Sequence, residues 1–134
     1  MENDYIYMKL ALKEAKKSLK LDDVPVGAII VKDNKIISKA HNQKEKKQIA
    51  TMHAEIIAIE KACKKLNTWH LDRCTLYVTI EPCLMCSGAM IQSRIDRVVY
   101  ATKNEKFGYI ESIEKICVAL SCGVDDILEF VPQK

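Results

Sequence analysis

Residues 24–31 read Val-Pro-Val-Gly-Ala-Ile-Ile-Val, an apolar, β-branched run that is a mostly buried strand rather than a solvent-facing one. Asp33-Asn34 turns the chain back into a second strand over residues 35–40, so the pair reads as an antiparallel hairpin. A sheet is therefore fixed early, and the remaining segments have to be layered on it. Residues 5–20 have helical spacing: Tyr5, Met8, Leu12, Ala15 and Leu19 recur on one side, Lys13, Lys16, Lys17 and Lys20 on another. The lysine stripe reads as a solvated face, and Asp22-Asp23 breaks the pattern.

Residues 41–51 are polar and lysine-rich, as expected of a loop. Residues 53–66 then predict a helix, apolar nearly all round at its start and hence buried. Residues 74–80 are a third strand. Pro82 opens a third helix that runs to about Ser93, proline being suited to a first helical position. Residues 97–101 predict a fourth strand, 110–121 a further helix and 127–131 a fifth strand. Alternating strands and helices point to an α/β layered domain with a mixed sheet. Its opening hairpin is antiparallel, and the later strands, joined through helices, are expected to be parallel.

The chain has 134 residues, enough for one domain and little more. Its composition, 49% hydrophobic and 29% charged, suits a soluble globular domain and not a disordered one. A formal charge of +3 permits nucleic acid binding without demanding it. No apolar stretch is long enough to span a bilayer, and the polar start Met1-Glu2-Asn3-Asp4 lacks the layout of a secretory signal. A cytoplasmic location with reduced thiols is therefore expected. The six cysteines then read as core residues or metal ligands, not disulfides.

Two short pieces carry chemistry, His53-Ala54-Glu55 and Pro82-Cys83-Leu84-Met85-Cys86, each at a predicted helix start. Cys83 and Cys86 are three apart, so their sulfurs share one helix face. In a first turn, unpaired N–H groups and the helix dipole ease the thiolate form that binds metal. With His53 as a third ligand, the set suits a tetrahedral zinc with one open position, the arrangement of catalytic zinc. Residues two apart on a regular helix diverge, so His53 and Glu55 converge only if they lie on the opening turn, aimed end-on at the metal. Glu55 is then no ligand but a general base placed beside the water that zinc activates. Cys-x-x-Cys is also compatible with a redox pair. A four-ligand structural zinc stays open too, with Cys63, Cys74, Cys117, Cys122, His41 or His70 as the fourth ligand.

The combination His53-x-Glu55 with Pro82-Cys83-x-x-Cys86 resembles the known signature of zinc-dependent nucleobase deaminases. The surrounding stretches resemble the bacterial tRNA adenosine deaminases in particular: Val24-Pro25-Val26-Gly27-Ala28, Leu76-Tyr77-Val78-Thr79, Glu81 to Met90 around the two cysteines, and Ser93 to Tyr100. The resemblance implies a three-layer α/β/α cytidine deaminase-like fold with a mixed five-stranded sheet, over a single deaminase domain of residues 1–134. It implies one Zn2+ per subunit on His53, Cys83 and Cys86, with Glu55 catalytic. Asn42, Val26 and Ile80 match substrate-binding positions, Asn42 as the hydrogen-bond partner of a flipped base. Asn42 also fits an ordinary turn position.

The implied reaction is hydrolytic conversion of adenosine to inosine in a tRNA anticodon loop, by a homodimer. Lys44-Glu45-Lys46-Lys47 could touch phosphates or simply be solvated. The chain departs from the family pattern at Ile49-Ala50-Thr51-Met52 and at Tyr109-Ile110-Glu111, and it ends at Lys134, before the basic C-terminal helix that the family usually sets against RNA. Three other readings remain: a deaminase of a free base or nucleoside (guanine, cytosine or cytidine), a non-catalytic RNA-binding subunit, and a zinc-stabilised interaction domain.

Overall fold

The computed structural model describes residues 2–104. The helix expected at 110–121 and the fifth strand expected at 127–131 lie outside the described residues. Eight elements follow in order: α1 (Glu2–Leu19), β1 (Gly27–Lys32), β2 (Lys35–His41), α2 (Lys44–Lys47), α3 (Ala54–Leu66), β3 (Cys74–Val78), α4 (Leu84–Gln92) and β4 (Arg97–Tyr100). The first strand begins at Gly27 and not at Val24, which is exposed. The lysine-rich loop contains the short helix α2.

The hairpin turns at Asp33 and Asn34, both with positive φ (51° and 59°). A two-residue turn of that geometry matches the twist of the strands, and Asp and Asn tolerate it best after glycine. The sheet order among the described residues is β2-β1-β3-β4. β1 is antiparallel to both of its neighbours, while β3 and β4 are parallel. The sheet is mixed as expected, with β1 as the one reversed strand.

Side chains alternate across β1. Ala28 and Ile30 enter a cluster with Ala54, Ile57, Ala58 and Ala62 of α3 and Met90 of α4. Ile29 and Val31 join Tyr77 and Ala11 of α1, with Tyr7, Met8 and Leu10 packed around them. The face that α1 presents is thus Tyr7, Met8, Ala11, Ala15 and Ser18. It is not the stripe of Tyr5, Met8, Leu12, Ala15 and Leu19 expected from spacing, since Tyr5, Leu12 and Leu19 are exposed. Gly27 explains the choice. A Cβ there would meet Ala11 O at 1.9 Å and Ala15 N at 2.5 Å, so α1 lies directly on the strand backbone and only its small residues fit. Gly27→Ala should cost about 3 kcal/mol or more, the upper end of overpacking penalties. Chemical denaturation of that variant is the check, and an unchanged midpoint would contradict the packing.

The start of α1 is tied to the far strands. Arg97 donates to Asp4 Oδ1 at 2.9 Å and also to Oδ2, and Tyr77 donates its hydroxyl to Asp4 Oδ1 at 2.6 Å. The Arg97 guanidinium, helped by Tyr77, holds the Asp4 carboxyl well below the ordinary carboxylate range. Burial and the Asp4 hydrogen bond push the Tyr77 phenol up to about 12. A depressed folded pKa contributes stability above the unfolded value, about 3.9 for Asp, and loses it as pH falls further. The gap in melting temperature between the parent and Asp4→Asn should therefore be constant from pH 5 to 7 and shrink below about pH 4. A gap that widens on acidification would overturn the assignment.

The register decides which loops meet. Gly27 pairs with His41 and Ala28 with Val78, so residues entering β1, leaving β2 and leaving β3 share one end of the sheet. There Asn42 N donates to Val26 O at 3.0 Å and Thr79 N to Gly27 O at 3.1 Å. The N-termini of α3 and α4 open at this same end.

Candidate active site

His53 is the N-cap of α3 and Cys83 the N-cap of α4. Both have extended backbones, with φ/ψ of −73°/153° and −71°/174°, and neither side chain caps its own helix. Replacing a capping side chain at such a position by a non-capping one costs about 0.5–2 kcal/mol. Here the two side chains turn towards each other instead. His53 Nδ1 lies 3.6 Å from Cys83 Sγ and 3.5 Å from Cys86 Sγ. Zinc about 2.0–2.1 Å from nitrogen and about 2.3 Å from sulfur, bonded tetrahedrally, sets an N···S edge of roughly 3.6 Å. The donor set therefore fits zinc both chemically and in its spacing.

The ligand atoms of His53, Cys83 and Cys86 all lie within 4.8 Å of one another, and no fourth His, Cys, Asp or Glu joins them among the described residues. Cys63, Cys74, His41 and His70 stand outside the group, while Cys117 and Cys122 lie outside the described residues. Cys83 precedes the helix, with Pro82 before it, so the expectation of both in the first turn is corrected by one to two residues. Cys86 is inside that turn, where the free amides are.

The electrostatics agree with metal ligation. The Cys83 thiol is pulled down to about 4 by its hydrogen bond from Cys86 and by His53. The Cys86 thiol is pushed up, first by the same contact with Cys83 and then by burial. A bound dication would favour the thiolate form of both cysteines, the form that ligates metal. His53 is raised by its contact with Cys83.

Glu55 is 3% exposed, and burial raises its carboxyl above the ordinary range. It interacts with Cys86 without belonging to the ligand group. The convergence with His53 follows from the N-cap: the residue before the helix is free of helical periodicity, so two positions that diverge on a helix can meet here.

All of these groups, except the fully buried Cys86, face one cavity of about 530 Å3, and Val26, Asn42 and Ile80 line its walls. Asn42 performs the turn role as well. Its Nδ2 donates to Val24 O and its Oδ1 accepts from Lys44 N, both at 3.1 Å. A primary amide has capacity for two further hydrogen bonds. Glu81, a second buried carboxylate on the cavity wall, was not singled out in the sequence. Its Oε1 accepts from Asn104 N at 3.3 Å. The only signal was its place beside Pro82-Cys83.

A family model for MafB19-like deaminases matches residues 2–129. The chain belongs to this deaminase family. A tRNA-specific adenosine deaminase of Aquifex aeolicus is 50% identical over 110 residues, 82% of this chain and 73% of the relative. A structure from work on A-to-I editing by tRNA deaminases at the wobble position superposes with a TM-score of 0.76 at 35% identity, covering 93% of this chain and 88% of the other. The guanine deaminase of Bacillus subtilis gives the same TM-score at 32% identity, covering 97% and 85%. The deaminase is thus an enzyme of hydrolytic type with an α/β fold shared by both neighbours. No helix among its described residues is long and apolar enough to cross a membrane.

Proposed function

We propose that this deaminase converts adenosine to inosine at the wobble position of tRNA, using one Zn2+ held by His53, Cys83 and Cys86 and Glu55 as its proton carrier. The observation that carries the chemistry is the pair of His53–cysteine distances, 3.6 and 3.5 Å, with a buried carboxylate beside them on a cavity wall. The tRNA substrate is supported by the curated relatives.

Zinc, when bound, supplies Lewis acidity that lowers the pKa of water towards about 7. Glu55 accepts a proton from the attacking water and delivers it to N1 of the adenine, while the water oxygen bonds to C6. Glu55 then takes the proton of the new C6 hydroxyl and passes it to the amine; C6=O forms as the C6–N bond breaks and ammonia leaves, giving inosine. Burial favours the protonated carboxyl, which suits a group that must hold and return a proton. Val26 and Ile80 hold the base between apolar walls, and Asn42 offers it a donor and an acceptor. A base has to leave its stack to enter such a pocket, which favours a loop.

The three-layer arrangement of the fold belongs to the same reading. So do a cytoplasmic location and a homodimer, the latter supported by Leu84 and Ile91, exposed on one stripe of α4.

The structural likeness to guanine deaminase keeps a free-base substrate as the second reading. One panel separates them. The purified chain should convert the wobble adenosine of an anticodon stem-loop to inosine with release of ammonia, and release no more than background ammonia from guanine, cytosine or cytidine. Turnover of a free base without inosine would replace the tRNA assignment.

A further inference from the structure

Asp23 stands outside the reacting groups, yet it organises one wall of their cavity. The helix α2 has four residues and no buried side chain, and its N-cap Gln43 makes no side-chain cap. A single exposed turn carrying Lys44, Lys46 and Lys47, closed at its C-terminal end by Gln48 Nε2 donating to Glu45 O at 2.7 Å, is marginal by itself. Its amides are capped from outside. Asn42 Oδ1 accepts from Lys44 N, Asp23 Oδ1 from Glu45 N at 2.7 Å, and Asp23 Oδ2 from Lys46 N at 3.1 Å.

Asp23 is 4% exposed and is itself fixed by α1, its N–H donating to Ser18 O at 3.0 Å. Ser18 Oγ in turn donates to Asn42 O at 2.9 Å. The carboxylate also neutralises the positive end of the turn, so both its charge and its two acceptors are used. The segment it pins contributes Lys44 and Ala50 to the cavity and runs on to His53, while Val24, the residue after Asp23, lies on the same wall.

From this geometry we infer that Asp23 is a positioning residue for substrate: it clamps the 43–50 segment against the 23–26 segment and so fixes the cavity wall that the base and its flanking nucleotides meet. It touches no reacting atom. Its loss should weaken substrate binding and leave zinc and the chemical step in place. The inference rests on the proposed site, and two independent measurements separate the claims.

Hydrogen exchange read by mass spectrometry needs no substrate. In Asp23→Ala, amides of the 43–50 segment should exchange at least tenfold faster, with peptides of α3 and β3 unchanged. Steady-state kinetics on the stem-loop should show KM raised about tenfold, as for the loss of charged hydrogen bonds, with kcat within about twofold and zinc content unaltered. Asp23→Asn keeps one acceptor and should fall between, and it carries the comparison if the alanine chain does not fold. Unchanged exchange at 43–50, an unchanged KM, or a uniform rise in exchange with loss of zinc would each overturn the positioning role. Absence of inosine from the parent chain would instead reject the tRNA substrate, with the exchange result still deciding what Asp23 holds.

Discussion

Glu55→Gln should bind zinc with the parent stoichiometry and lose about 10²–10⁴-fold in kcat, the range that a positioned general acid–base contributes. The substitution preserves shape and one acceptor and removes only the capacity to take up and return a proton. The same carboxyl serves the attacking water and the departing amine, so the loss should approach the upper end. Zinc should be retained because Glu55 is outside the group of three ligands. The variant should also remain folded, since burial already disfavours the charged form that the amide replaces. Metal analysis and single-turnover kinetics on one preparation decide it. A zinc-replete variant at parental kcat would show that another group moves the proton.

Chelation should abolish turnover without unfolding the chain, and Cys86→Ser should do the same. Removing a direct thiolate ligand is expected to cost more than the roughly 10–100-fold in affinity seen for outer-shell changes. The fold is expected to stand without the ion. Both core clusters are built mainly from aliphatic residues of the sheet and helices, with Ile30, Leu71, Leu76 and Val78 fully buried in the larger one. The cation would join the starts of two helices already packed on that sheet. A zinc-stabilised interaction module would instead lose its cooperative melt with its metal. Circular dichroism melts of the chelated and reloaded chain distinguish the two, and recovery of activity on adding Zn2+ completes the test. Collapse of the melt on chelation would move zinc from the reaction to the scaffold.

Local patterns were sufficient for much of this protein. The hairpin was legible because Asp33-Asn34 suits the left-handed turn it adopts, and the candidate ligands because Cys83 and Cys86 carry the spacing that places them together. The face of α1 was not. Helical spacing offers more than one stripe, and side-chain size by itself favours the large apolar one over the small one. The choice depends on Gly27, twelve residues beyond Ala15, which lets the helix lie so close that Ala11 and Ala15 fit and Leu12 does not. The short helix α2 is not legible in the sequence for a related reason: its caps are supplied by Asp23 and Asn42, not by its own four residues.

Chain composition and motif spacing pointed to a mixed α/β fold and to a candidate His-Cys-Cys metal site with a carboxylate beside it, because residue type and short-range period act through neighbouring atoms. Only the tertiary structure decided that β1 lies reversed between β2 and β3, and that Val26, Asn42, Ile80 and Glu81 close around Glu55. Those outcomes rest on strand register and helix approach, which are set by contacts between residues dozens of positions apart.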